Sequence, residues 1–130
     1  MVGVFLSGTG NTKHCIQKFL TALDSDARCI PIEEKKSIDA IRKNEEIVLA
    51  YPTQFSNVPF MVRDFVIRHK DVWKGKKIFL ITTMGAFSGD GTGCLARVLK
   101  KYGKSYVLFF YENPLYYQFL FSIENNDIEN

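Results

Sequence analysis

Ile47-Val48-Leu49-Ala50-Tyr51 is an unbroken apolar run with no polar alternation. A strand with water on one face alternates, and a strand with water on neither face does not, so this run demands cover on both sides. Ile78 to Thr83 and Tyr106 to Tyr111 repeat the demand, and Val2, Val4, Phe5 and Leu6 form a shorter version near the amino terminus. Helical patterns lie between them. Ile16, Phe19, Leu20 and Leu23 recur at i, i+3, i+4, i+7; Val62, Phe65, Val66 and His69 share one stripe after Pro59; Leu95, Val98, Leu99 and Tyr102 share another. A shorter helix through about Lys43 can be capped by Ser37. Strands alternating with helices predict a parallel sheet covered on both faces. Ala27 to Ile32 is a weaker strand interrupted by Pro31, and a proline belongs on a sheet edge. The expectation is therefore a doubly wound five-stranded α/β fold of strand order 2-1-3-4-5. Its binding crevice lies beyond the carboxyl ends of strands one, three and four.

At 130 residues, 46% hydrophobic and 24% charged, the chain reads as one domain, 1–130, with a core of its own. The net charge of +3 and pI near 8.7 come from scattered groups, Lys35-Lys36, Lys74 to Lys77 and Lys100-Lys101, which suit solvated faces better than a nucleic-acid footprint. No segment approaches the ~18 apolar residues of a membrane span. The amino terminus lacks the basic region of a signal peptide. Cys15, Cys29 and Cys94 are too few for a disulfide framework and fall in no metal-ligand spacing, so a reducing cytoplasm is the expected compartment and no metal is expected. His14 and His69 belong to no triad, carboxylate pair or metal cluster, and no catalytic residue is assigned. At the other end, Asn113 can cap and Pro114 can start a shortened helix through Ile123, followed by a polar, acidic tail; the segment is 113–130. Leu115 to Phe121 is apolar nearly all round. It either packs over the fifth strand or leaves a patch that pairs with a second copy, so monomer and homodimer both stay open.

Ser7-Gly8-Thr9-Gly10-Asn11-Thr12 joins the first strand to the first helix. Glycines let the backbone approach an anion, the hydroxyls of Ser7, Thr9 and Thr12 can donate to it, and the N–H groups of a helix start point the same way. The turn lacks the third glycine of a dinucleotide fingerprint. Lys13 follows Thr12 and precedes His14, which is not the setting of a Walker lysine. A terminal phosphate monoester held by hydroxyls and amides is what remains.

The segment resembles the phosphate loop of the flavodoxins, Thr/Ser-x-Thr-Gly-x-Thr after strand one, which Ser7, Thr9, Gly10 and Thr12 match at every defined position. It is most similar to the branch in which Phe-Ser-Gly-Thr-Gly-Asn-Thr opens a flavodoxin domain often fused to a ferredoxin-type iron–sulfur module. Here Leu6 replaces the Phe and no Cys-x-x-Cys-x-x-Cys run follows. The resemblance spans about Val2 to Tyr111 and implies a flavodoxin-like fold with flavin mononucleotide (FMN) as cofactor. It also implies that two further loops flank the ring. One, from Pro52 to Val58, carries Thr53, Gln54 and Phe55; the other carries Met84, Gly85, Ala86, Phe87, Gly89 and Asp90. Phe55 and Phe87 either stack on the ring or pack in the core, Gly85 and Gly89 can present amides to its polar edge, and Asp90 has a turn role or supplies a ring-edge charge.

The resemblance implies an electron carrier that shuttles one or two electrons between redox partner proteins, ferredoxin-like or reductase. A small FMN-dependent oxidoreductase of NAD(P)H, quinone or porphyrinogen type is the alternative, and a flavin-free module that kept the fold is a third class. Flavodoxins are mostly acidic and this chain is mildly basic, which predicts a less negative potential than is usual for them.

Overall fold

The computed structural model describes residues 1–7, 10–52, 58–84, 93–102, 104–113 and 116–122. Its strands are β1 (Val2–Phe5), β2 (Arg28–Pro31), β3 (Glu46–Pro52), β4 (Lys77–Met84), β5 (Lys104–Asn113) and β6 (Tyr116–Ser122). The helices are α1 (Asn11–Leu23), α2 (Lys36–Lys43), α3 (Phe60–Arg68) and α4 (Gly93–Leu99), with a 3-10 turn at Lys70–Trp73. They form one sheet in the order β2-β1-β3-β4-β5-β6. The first five strands are parallel in the expected order, and β2, with Pro31, is the outermost strand on its side.

Side chains alternate across the pleat, and this splits the core in two. Val2 and Val4, Ile47, Leu49 and Tyr51, and Ile78 and Leu80 cluster with Ile41 of α2, Val62 and Val66 of α3, and Leu95 and Leu99 of α4. Phe5, Val48, Ala50 and Ile81 cluster instead with Cys15, Ile16 and Leu20 of α1. Each fully buried Ile or Leu removes apolar surface worth about 1.5–3 kcal/mol. Gly3 lies beneath α1 where no side chain fits: a Cβ there would sit 2.6 Å from Leu20 Cδ1 and 2.9 Å from Ile16 Cδ1. Bare backbone lets the helix lie close to β1.

Four expectations need correction. The helix predicted from Pro114 to Ile123 is a strand: β6 runs antiparallel to β5, with Phe110 opposite Phe119 and Asn113 opposite Tyr116. Asn113 is the last residue of β5. The segment Tyr116–Ser122 is rich in aromatics and has no helical stripe to bury, so pairing with the open edge of β5 wins. The sheet consequently has six strands where five were expected. Ser37 is not a cap, because α2 starts at Lys36; its buried hydroxyl donates to Ile32 O at 3.4 Å, tying the helix to the end of β2. Leu23 is 58% exposed because α1 ends there, and the inward stripe of α1 runs instead through Thr12, Cys15, Ile16 and Leu20. The predicted helix stop at Gly103 lies outside the described residues.

Trp73 was not foreseen as a core residue. The 3-10 turn buries its ring completely, edge-on to Phe65 at 6.2 Å between centroids, and its Nε1–H has no acceptor among the described residues. His69 lies half-buried against Phe65, at 5.3 Å, and His14 is exposed. Among the described residues no helix is long and apolar enough to cross a membrane.

Candidate phosphate-binding rim

Register places the site. Phe5 is level with Ala50, and Ala50 with Ile81, so Ser7, Pro52 and Thr83, each two residues further on, emerge together at the carboxyl rim of β1, β3 and β4. The chain leaving β1 is pinned on both sides: Leu6 N–H donates to Ala50 O at 3.0 Å, and Ile32 N–H donates to Phe5 O at 2.9 Å. The turn then enters α1 through Gly10 at φ +94°, a left-handed conformation that a side chain would strain.

Ser7 organises the helix start. Its Oγ accepts from Gly10 N–H at 3.1 Å and, more distantly, from Lys13 N–H at 3.4 Å. A serine oxygen has two lone pairs and one proton, so an oxygen engaged twice as acceptor has only its proton to offer. The first bond inside the helix is His14 N–H to Gly10 O at 3.0 Å, so the N–H groups of Asn11 and Thr12 have no helical carbonyl to bond. No acidic residue occupies the first turn of α1, and Lys13 and His14 stand there exposed. The positive end of the helix dipole is therefore not neutralised from within the helix. Hydroxyl, amides and dipole together favour an acceptor that carries negative charge.

Thr12 also has a partner within the fold. Its side chain is buried, and its Oγ1 lies 2.8 Å from Thr83 Oγ1, a contact between the start of α1 and the end of β4. The neighbouring Thr82 donates to Tyr51 O at 3.1 Å, joining β4 to β3 at the same level. The sequence reading missed Thr83. The available signal was a hydroxyl at the end of an apolar strand just before a glycine-rich loop, the same placement as Ser7.

Of the predicted site residues, the rim gathers Ser7, Gly10, Thr12 and Pro52, with the backbones of Asn11 and Met84. Gly8, Thr9, Thr53, Gln54, Phe55, Gly85, Ala86, Phe87, Gly89 and Asp90 lie outside the described residues. Among the described residues no three His, Cys, Asp or Glu side chains gather as metal ligands would. Burial pushes the half-buried Cys29 thiol up to about 11, against a smaller opposing pull from Lys13.

No family model and no curated protein matches the chain. Solved structures do. A flavodoxin from the domain Archaea is similar over 87% of this chain and 83% of its own, with a TM-score of 0.74 and 20% identity. The two-electron reduced flavodoxin of Megasphaera elsdenii covers 85% of each chain at a TM-score of 0.70 and 23% identity. The Fusobacterium nucleatum flavodoxin bound to flavin mononucleotide shares 20% identity at a TM-score of 0.60, over 80% of this chain and 67% of that one. At these identities the likeness establishes the fold, which is flavodoxin-like.

Proposed function

We propose that this chain binds flavin mononucleotide at the carboxyl rim and carries electrons between redox partner proteins in the cytoplasm. The observation that carries the reading is the Ser7 hydroxyl. Engaged as acceptor by two amides, it can serve a ligand only as donor, at a helix start whose next N–H groups are also donors. A phosphate monoester accepts at every one of these positions. The similar fold of a flavodoxin bound to flavin mononucleotide supports the choice of ligand.

In this reading Ser7, Gly8, Thr9, Gly10, Asn11 and Thr12 hold the phosphate. Pro52, Thr53, Gln54 and Phe55 flank the ring on one side, and Met84 through Asp90 on the other. When bound, FMN supplies the one- and two-electron chemistry. The protein's work is to bind, orient and shield it.

The test is a pair of titrations followed by flavin fluorescence, one with FMN and one with riboflavin, which lacks the phosphate. FMN binds the wild-type protein at least tenfold more tightly. Thr9→Val and Thr12→Val each weaken FMN far more than riboflavin, because a hydrogen bond to a charged group is worth about 1.5–3 kcal/mol. Equal losses for both ligands put the phosphate elsewhere and overturn the reading. NAD(P)H-dependent turnover by the purified protein would replace the carrier role with the oxidoreductase one.

A further inference from the structure

The contact between Thr12 and Thr83 raises a question of direction. Two hydroxyl oxygens 2.8 Å apart share one hydrogen bond, in which either can be the donor. Both side chains are buried, at 2% and 6% exposure, so bulk water does not arbitrate. In the absence of a ligand the bond can run either way. A phosphate at the turn removes that freedom. If Thr12 gives its proton to the anion, its oxygen can still accept, and Thr83 is the hydroxyl placed to donate.

We infer that Thr83 is a positioning residue of this site. By donating to Thr12 Oγ1 it commits the Thr12 proton to the ligand and holds that hydroxyl in the rotamer that presents it. The inference rests on the reading of the turn as a phosphate site. Hydrogen bonds in series polarise one another, so a chain running from Thr83 through Thr12 to an anion is stronger than its links taken singly. Such a chain is strongest when it ends on a charged group that only accepts. A fully ionised phosphate monoester satisfies that condition at each oxygen, whereas a neutral hydroxyl must also place a proton of its own. The selectivity follows: the chain favours the ionised monoester over an alcohol.

Position gives Thr83 a second duty. It is the penultimate residue of β4, next to Met84, where the chain leaves the sheet toward residues 85–90. One hydroxyl thus fastens the phosphate turn to the strand that leads into the loop assigned to the ring.

The experiment measures FMN and riboflavin affinity for the wild type, Thr83→Val, Thr83→Ser, Thr12→Val and the Thr12→Val/Thr83→Val double variant. Emission of Trp73, the single tryptophan, together with thermal melting, reports folding in each case. Thr83→Ala is carried alongside in case the valine variant does not fold. Thr83→Val weakens FMN about five- to tenfold, roughly the weight of one hydrogen bond, and leaves riboflavin unchanged. Thr83→Ser restores FMN binding, since the hydroxyl is what matters. In the Thr12→Val background the same Thr83→Val change costs nothing further, because the residue through which it acts is gone. Loss of FMN and riboflavin alike, or an undiminished loss in the Thr12→Val background, overturns the inference while the phosphate site stands. A wild-type protein that binds both flavins equally overturns the phosphate site itself, and this inference with it.

Discussion

Where the strands begin, the polar groups are spent on one another; where they finish, several are held in reserve. At the first end the amino group of Met1 donates to Asn44 Oδ1 at 3.2 Å, and Asn44 Nδ2 donates to Ala40 O at 2.8 Å. Lys76 Nζ donates to Arg42 O at 3.1 Å and to Asn44 O at 2.7 Å, placing a cation at the negative end of α2. Just before β4 begins, Trp73 fills the core, its indole N–H being the exception at this end, with no acceptor among the described residues. At the other end Ser7 accepts twice and keeps a proton, Thr12 and Thr83 share one bond between two donors, and two amides of α1 have no helical partner. The two ends divide the work: internal satisfaction around α2 supports the fold, and the donors left over at the other end are the ones the proposed site would use.

The contrast can be broken or sharpened by substitution. Trp73→Ala has the largest effect. Removing a fully buried indole costs about 3–5 kcal/mol and lowers the melting temperature steeply, yet the FMN-to-riboflavin affinity ratio of the folded fraction stays unchanged. Asn44→Ala comes next. It strands the Ala40 carbonyl and the Met1 ammonium, costing about 1–2 kcal/mol in denaturant melts, again with no change in that ratio. Ser7→Ala reverses the pattern, with about 0.5–1 kcal/mol of stability lost at an exposed turn and FMN affinity down roughly tenfold. A Ser7→Ala variant that is as unstable as Asn44→Ala but binds FMN normally would erase the distinction between the two ends.

The last effect is one of pH, and it is confined to alkaline conditions. Cys29, half-buried on the edge strand β2, has its thiol raised from 9.0 to about 11. Between those values the folded chain keeps a proton that the unfolded chain has released, so stability falls as pH rises through that window and is unaffected below it. Cys29→Ser removes this part of the alkaline decline, which denaturant midpoints at neutral pH and about pH 10 will reveal.

Legibility in the sequence followed the length over which a residue's neighbours are set. β1 and α1 follow closely in the chain, and the strand and most of the helix stripe read directly, as did the doubly covered strands Ile47 to Tyr51 and Ile78 to Thr83. Pro31 placed β2 at an edge because a missing N–H is a local fact with a global consequence. Trp73 and Thr83 were missed for a shared reason: each has partners distant in sequence, a core that reaches from Val2 to Leu99 around Trp73, and Thr12 beside Thr83. The last segment misled because aromatics that are apolar on every side carry no period. Only the unfilled edge of β5 decides that Tyr116–Ser122 pairs as a strand.

Gly3 has one further effect. Because β1 presents bare main chain at that point, Leu20 and Ile16 of α1 fill the space a methyl would take, and those two side chains set the height of the helix above β1. A larger residue at position 3 has to push both side chains aside or lift the helix off the strand. Filling that space would therefore displace α1, and with it the amino-terminal bend from which the helix starts, relative to the ends of β3 and β4.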